Sequence, residues 1–287
     1  MTVLEAIQRS TEFLARKGVD SPRLQTELLL AHLLDLARMQ LYLNFERILT
    51  PPEVESFRHL VKRRGQREPL QHILGSTSFC GFEIAVNRHV LIPRPETELL
   101  AEHGWTFLAQ LAHTNPQPAT ALDFGTGSGC LAIALACKCP TARVQAIDLS
   151  LEAVALAQEN AKRHGVAGQI QFRPGDGFAA VPAGTQFDLI ISNPPYIPSA
   201  EIPRLQPEVR DHDPRSALDG GPEGLDYHRR LAAESPAFLS PRGRLMLEFG
   251  DGQAEPIRSL FQQQKWIVEA IHKDYNQCPR ILIARRG

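Results

Sequence analysis

The sequence lacks any apolar run long enough to span a bilayer, and its first residues lack the pattern of a signal peptide, so we expect no membrane association. It also lacks an excess of either charge. Its 31 lysine and arginine residues are matched by 32 aspartate and glutamate residues, which gives a formal net charge of −1 at pH 7. This balance argues against a polyanion held by bulk charge alone.

Cysteine is sparse and irregularly spaced. The five cysteines, an odd number, predict free thiols in a reducing cytoplasm. Cys137 and Cys139 are too close in sequence to form a zinc-binding pair, no second pair follows, and the ten histidines are scattered. We therefore predict no metal site. Because no large apolar stripe is left over for a partner, we also expect a monomer.

At 287 residues the chain is long for one domain, and two are expected. Residues 1–74 have the pattern of a small all-helical domain. Apolar residues recur at helical spacing near the N-terminus, and prolines predict helix starts at Pro22, at Pro51 and at Pro69. A basic stretch at residues 62–67 is typical of the solvated face of a helix, and contact with RNA or an acidic partner is the alternative.

Residues 75–118 are predicted to connect this helical domain to the rest of the chain. Apolar residues alternate over 76–92, with breaks at Gly81 and Asn87, which predicts a β-hairpin. A helix is expected over 99–112, with Glu96 or Thr97 as its N-cap.

Residues 119–287 are predicted to form an α/β domain, because strand and helix patterns alternate as in a parallel sheet. The segment 197–224 is long and rich in proline and glycine, and we expect it to form one wall of a pocket. The predicted strands cover residues 121–124, 144–147, 170–173, 187–191, 243–248, 266–271 and 281–284.

A glycine loop follows the first of these strands. Its glycines, Gly125, Gly127 and Gly129, would let backbone amides approach a ligand at a helix N-terminus. The spacing fits a dinucleotide fingerprint poorly, since Cys130 stands where that fingerprint has its third glycine. Asp148 closes the next strand, where an acid usually accepts the ribose hydroxyls. By themselves these features leave S-adenosylmethionine and a nicotinamide cofactor both open.

The segment Asn193-Pro194-Pro195-Tyr196, directly after a buried strand, is the most informative in the chain. Asn193 offers a side-chain oxygen, and Pro194 offers a backbone carbonyl without an N–H of its own. Tyr196 offers a ring for stacking, and the two prolines stiffen the loop. These are the groups needed to hold a flat NH2 group for alkylation, which favours S-adenosylmethionine.

Four longer motifs resemble those of a known family. Residues 92–98 (IPRPETE), 123–129 (DFGTGSG) and 192–197 (SNPPYI), together with 213–224, closely resemble the bacterial peptide chain release factor glutamine methyltransferases. The resemblance covers essentially the whole chain. It implies a class I S-adenosylmethionine-dependent, Rossmann-like methyltransferase domain with an antiparallel final strand, joined to an N-terminal helical domain that helps recognise the release factor.

The resemblance also implies the reaction and the residues that serve it. The reaction is methyl transfer from S-adenosylmethionine to the side-chain amide nitrogen of the glutamine in the Gly-Gly-Gln motif of class 1 release factors. Asn193, Pro194, Pro195 and Tyr196 would hold the glutamine amide. The residues expected at the cofactor are Gly125, Thr126, Gly127, Ser128, Gly129, Asp148, Gly177, Phe178 and Asn193.

This sequence departs from the family at one position. The family often has a tryptophan after the acid of its third motif, against the adenine, whereas here Asp176 is followed by Gly177. Either Phe178 covers the adenine, or backbone and aliphatic contacts do so. Arg94, Glu96 and Glu98 either rim the cofactor pocket or serve only as a helix start.

Three other functions compete with this one. A methyltransferase that modifies a glutamine of a large-subunit ribosomal protein would share the fold and the Asn-Pro-Pro-Tyr segment, but the sequence at residues 94–98 favours the release factor enzyme. A DNA adenine N6-methyltransferase would need a basic groove that this chain lacks, so no direct nucleic-acid substrate is expected. A non-catalytic binding module is disfavoured by the intact glycine loop.

Overall fold

A computed structural model describes residues 1–114 and 116–287. The strands are β1 (Ser76–Phe79), β2 (Phe82–Ala85), β3 (Thr120–Phe124), β4 (Arg143–Asp148), β5 (Ile170–Pro174), β6 (Phe187–Ser192), β7 (Leu239–Glu248), β8 (Trp266–Lys273) and β9 (Pro279–Arg286). The helices are α1 (Val3–Arg16), α2 (Pro22–Leu33), α3 (Arg38–Tyr42), α4 (Pro51–Gly65), α5 (Leu70–Leu74), α6 (Pro95–Thr114), α7 (Cys130–Lys138), α8 (Leu151–Arg163), α9 (Pro207–Arg210), α10 (Asp226–Glu234) and α11 (Ala254–Gln263).

The chain forms two compact units. The first contains Met1–Ser76 and the short segment Gln206–His212, which includes α9. Its helices α1 to α5 bury a common apolar core. Both α1 and α4 begin with a capping box, in which a threonine and a glutamate three residues later satisfy each other's backbone N–H groups. The sequence predicted no helix at α3 and placed 206–212 with the α/β domain.

The basic stretch at 62–67 is paired with acids inside the first unit. Arg63 forms a two-fold ion pair with Glu68. Arg64 and Arg67 both donate to Glu208 of α9, at 2.6 to 2.7 Å. Three of the four cations of the stretch are therefore neutralised by carboxylates of their own unit, so little of its charge is free for a polyanion.

The second unit, Thr77–Leu205 and Asp213–Gly287, contains a seven-stranded sheet in the order β5-β4-β3-β6-β7-β9-β8. The neighbours from β5 to β7 are parallel, while β9 is antiparallel to both β7 and β8. The predicted Rossmann-like fold with an antiparallel final strand is confirmed. The chain runs outward from β3 through β4 to β5 and then returns to β6 on the other side of β3, which creates a switch point at the carboxyl edge.

Both faces of the sheet are covered, which explains the continuous apolar runs of its central strands. Ala121, Leu189 and Met246 face one core, which is shared with α6, α7 and the β1–β2 hairpin. Their neighbours Leu122, Ile190 and Leu247 face a second core, which is shared with α10 and α11. All seven predicted strands are present. Strand β7 begins four residues earlier than predicted, because a bulge against β6 lengthens it.

Two predictions about the connecting segment are wrong. The hairpin ends at Ala85, and residues 86–92 form no strand, although Val90 and Ile92 are buried. Helix α6 begins at Pro95, four residues earlier than predicted, because proline suits the first helical position. Thr97 therefore lies inside the helix and is not its cap. Over the described residues, no helix has the length and apolarity to cross a membrane.

Candidate active site

A cavity of about 400 Å³ lies in the second unit at the carboxyl ends of β3 to β6, where the strand order reverses. Segments that follow these four strands contribute residues 124–128, 147–150, 175–177 and 193–195. The cavity lining also includes Pro214, Ser216 and Ala217. Only this part of the segment 197–224 reaches the cavity. The predicted residues Gly129, Phe178 and Tyr196 lie outside the lining, and the other predicted site residues are part of it.

The glycine loop places open backbone against the cavity. Gly125 and Gly127 have φ values of +74° and +53°, which favour glycine, and a Cβ at either position would meet no protein atom within 4 Å. A side chain there would take up cavity space. Gly129 differs, because a Cβ would lie 3.0 Å from the Cβ of Ala157. Its role is to let α7 pack closely on α8.

Two aspartates organise this loop. Asp123 is fully buried and accepts hydrogen bonds from the Thr126 hydroxyl at 2.6 Å and the Ala132 N–H at 3.1 Å. Burial raises the pKa of Asp123 to about 7. Asp148, at the end of β4, accepts from the N–H groups of Gly127 at 2.8 Å and Ser150 at 2.9 Å. Each Asp148 oxygen keeps a further lone pair for a ligand.

Asn193 stands at the end of β6 and borders the cavity. Its Nδ2 donates to the hydroxyl of Thr97 at 2.9 Å, and among the described residues no donor is recorded for its Oδ1. The preceding Ser192 is fully buried and donates to the Phe124 carbonyl at 2.6 Å, which ties the end of β6 to the end of β3. Thr97 also lines the cavity, and the sequence did not predict it as a site residue.

Tyr196 turns away from the cavity. Its hydroxyl donates to Glu248 at 3.2 Å, and its carbonyl accepts from the Gln253 side chain at 2.9 Å. Burial, with the adjacent charge of Glu248, raises the pKa of Tyr196 above its ordinary value, so the hydroxyl stays a donor. These contacts anchor the loop. Stacking of the ring on a substrate amide stays a prediction.

Comparison with known proteins gives the family. A model of the PrmC N-terminal domain matches residues 5–75, and one of the methyltransferase small domain matches 102–204. A release factor glutamine methyltransferase of Geobacter sulfurreducens is 44% identical, over 100% of this chain and 97% of its own. One from Chlorobaculum tepidum is also 44% identical, over 97% and 95% of the two chains. The chain belongs to the release factor glutamine methyltransferase family.

The fold also agrees with a more distant solved structure. The N-terminal domain of human METTL16 in complex with SAH has a TM-score of 0.51 at 15% sequence identity, over 83% of each chain. At this identity the likeness concerns the fold alone.

Arg230 stands beside the position at which the family often has a tryptophan. Gly177 lines the cavity, while Phe178 is buried and stacks on Phe238 with ring centroids 4.6 Å apart. The Arg230 guanidinium donates to the Asp176 carbonyl at 3.1 Å and lies 5.9 Å from the Phe124 ring centroid. A Cβ on Gly177 would lie 2.8 Å from Arg230 Nη2. A side chain at position 177 would therefore require the Arg230 guanidinium and the Phe124 ring, 2.9 Å from the same Cβ, to shift.

The IPRPETE motif of the family contributes two cavity residues, Pro93 and Thr97. Its charged residues make other contacts. Arg94 forms an ion pair with Asp213 at 2.6 Å, and Glu98 accepts from the Cys80 N–H in the hairpin turn at 2.7 Å. Neither these two residues nor Glu96 are part of the cavity lining. Across the described chain no group of three or more potential ligand side chains is arranged to hold a metal ion.

Proposed function

We propose that this chain transfers a methyl group from S-adenosylmethionine to the side-chain amide nitrogen of the glutamine in the Gly-Gly-Gln motif of class 1 release factors, giving N5-methylglutamine and S-adenosylhomocysteine. One observation carries the proposal. A single cavity brings the open glycine loop and Asp148 together with Asn193 and Pro194. The names of its relatives support the same substrate.

The residues of the cavity fit the cofactor. The bare backbone at Gly125 and Gly127 leaves room for it, with Thr126 and Ser128 beside them in the lining, and the free lone pairs of Asp148 suit ribose hydroxyls. Gly177 and Arg230 are also part of the cavity lining. When bound, the cofactor supplies an electrophilic methyl group on a sulfonium.

Asn193 and Pro194 would activate the substrate nitrogen. An amide nitrogen is a poor nucleophile because it shares its lone pair with the carbonyl. The Asn193 Oδ1 and the Pro194 carbonyl would accept its two N–H groups, raise electron density on nitrogen and stabilise the positive charge that grows there. The rest of the rate enhancement comes from holding the nitrogen in line with the methyl group, since good positioning lowers the activation barrier by roughly 7–11 kcal/mol.

The N-alkylated amide is acidic and loses its proton readily to water, so we assign no general base. The rigid Pro194-Pro195 pair and the buried Ser192 hold both acceptors in place. We propose that the first unit contacts the release factor. We also propose that the enzyme is a cytoplasmic monomer without a nucleic-acid substrate; the net charge of −1 offers no excess of cations for a polyanion.

Mass spectrometry of a purified class 1 release factor, incubated with this protein and S-adenosylmethionine, tests the proposal. We expect one added methyl group, mapped to the glutamine of Gly-Gly-Gln, and none on a release factor whose glutamine is replaced by alanine. A methyl group on a large-subunit ribosomal protein or on DNA, with the release factor unmodified, would contradict the proposed substrate.

A further inference from the structure

Behind Asn193 lies a buried chain of hydrogen bonds that the reaction described above does not use. Asn193 Nδ2 donates to Thr97 Oγ1 at 2.9 Å, and the Thr97 hydroxyl in turn donates to Glu248 Oε2 at 2.7 Å. The other oxygen of Glu248 accepts from the Tyr196 hydroxyl at 3.2 Å. Thr97 is 2% exposed and Glu248 is 1% exposed, so water does not compete for these bonds.

The number of protons available fixes the direction of the hydrogen bonds that join Asn193, Thr97 and Glu248, which we call the relay. As a carboxylate, Glu248 can only accept, so the hydroxyl of Thr97 must give its single proton to Glu248. Thr97 can then only accept from Asn193. The atom of Asn193 that faces Thr97 must be the NH2 group, and the carboxamide oxygen is turned toward the cavity.

We propose that Thr97 and Glu248 are positioning residues that fix the orientation of the Asn193 carboxamide, so that its oxygen and not its NH2 group meets the substrate amide. The inference rests on the proposed function. If the carboxamide were rotated by half a turn, its NH2 group would face the NH2 group of the substrate. Two donors would then oppose each other, and the nitrogen would lose one of its two acceptors.

The setting of Glu248 makes the relay sensitive to protonation. Burial raises the pKa of Glu248 to about 7. Arg280 favours its anion and Glu96 opposes it, while the neutral ring of His228 forms a hydrogen bond with the Glu248 backbone carbonyl at 3.0 Å. A protonated Glu248 can donate to Thr97, which frees the Thr97 proton for Asn193 and permits the rotated carboxamide.

A pair of substitutions at Thr97 tests the relay. Thr97→Val keeps the shape of the side chain but removes the hydroxyl, and we expect kcat to fall about 10-fold or more because a buried polar atom loses its partner. The loss should be in kcat more than in KM, since acceptance strengthens as charge develops on nitrogen. Thr97→Ser keeps the hydroxyl and should restore most of the rate.

Two controls separate orientation from damage to the fold. Affinity for S-adenosylhomocysteine, measured by calorimetry, should be the same in wild type and Thr97→Val. Ser235→Ala removes another fully buried hydroxyl of the second unit, one that donates to the Leu231 carbonyl and lies outside the cavity lining, and it should leave kcat unchanged. A wild-type kcat in Thr97→Val, or no recovery in Thr97→Ser, would overturn the proposal. Failure of the wild-type protein to methylate any release factor would instead contradict the proposed function.

Glu248→Gln provides a second test if Thr97→Val does not fold. A glutamine carries no titratable proton and can also donate, so it no longer imposes one direction on Thr97. We expect wild-type kcat to fall as the pH decreases through about 7, and Glu248→Gln to have a lower kcat without that fall. If kcat of Glu248→Gln falls with decreasing pH as wild-type kcat does, then Glu248 has no such role.

Discussion

The carboxamide of Asn193 is the residue on which the proposed chemistry depends most. We predict that Asn193→Ala lowers kcat by about 100-fold or more, because one of two acceptors for the substrate amide is lost where positive charge develops. Affinity for S-adenosylhomocysteine should change little, since the glycine loop and Asp148 remain. Methylation rates at saturating release factor, with calorimetry for the cofactor product, measure both. A variant that turns over at near wild-type rate would contradict the mechanism.

Arg230 forms the wall of the cavity beside Gly177. We predict that Arg230→Ala weakens S-adenosylhomocysteine binding about 3- to 10-fold, because a cation over a flat ring contributes about 0.5–2 kcal/mol. Turnover at saturating cofactor should be nearly unchanged. The exposed neighbour Arg229, which pairs with Glu223 and Asp226 and lies outside the cavity lining, gives a matched control as Arg229→Ala. Equal affinities of the two variants for S-adenosylhomocysteine would show that Arg230 does not contribute to cofactor binding.

Residues that sit in contiguous motifs could be predicted from the sequence, and their partners could not. Asn193 and the glycine loop are recognisable because three or four chemically matched residues stand side by side. Thr97 contacts Glu248 across 151 positions, and Arg230 reaches Asp176 across 54. Such contacts depend on how helices pack over the sheet, which no local pattern records. For the same reason, the sequence predicted Thr97 only as a possible helix cap and not as a site residue.

At the scale of elements, the short helix α9 is held in the first unit by a carboxylate between two arginines of α4 and the turn after it. Glu208 accepts from Arg64 and Arg67, and the side chain of Arg64 is 4% exposed. We predict that Glu208→Gln lowers the free energy of unfolding by about 2–3 kcal/mol, because a buried guanidinium loses its counter-charge. Urea denaturation measures the change.

Trypsin provides a local measurement of the same contact, because Arg210 is an exposed cleavage site within the segment 206–212. Cleavage after Arg210 should be faster in Glu208→Gln. Glu201→Gln is the matched control, since Glu201 is an exposed glutamate seven positions earlier in the chain that forms no ion pair with any described residue. Identical cleavage rates in the two variants would mean that Glu208 does not hold this segment.

The seven strands of the large sheet could be predicted because each is an apolar run of strand length, bounded by turn residues. The two wrong predictions have different causes. Helix α3 has five residues and ends near the exposed Leu43, so it shows no clear periodicity. Residues 86–92 alternate like a strand, but Val90 and Ile92 are buried by contact with the core and not by pairing with a neighbour.

At the scale of the whole molecule, the sequence predicted two domains but not the chain path between them. The segment 206–212 belongs to the first unit because Glu208 pairs with arginines more than 140 positions earlier. Two of the buried acids of the second unit, Asp123 and Glu248, each have a pKa raised to about 7 by burial. Global stability should therefore depend on pH near neutrality.

We predict that Glu248→Gln gains stability relative to wild type as the pH rises from 5 to 8. The pKa of Glu248 is about 7 in the folded protein and near 4.5 when unfolded, so its contribution is fully present below pH 4.5 and is lost as the pH rises through 7. The difference in unfolding free energy between the two proteins should shift by about 2–4 kcal/mol across this range.

Urea denaturation of both proteins at pH 5 and pH 8 measures the shift. Asp123 is present in both proteins, so its own titration cancels in the comparison. The unfolding free energy of Glu201→Gln should change with pH as that of wild type does, because the side chain of Glu201 is exposed to solvent in the folded protein. If the unfolding free energy of Glu248→Gln also changes with pH as in wild type, then Glu248 is ionised at pH 5 in the folded protein. The fall in kcat expected at acid pH must then come from another group.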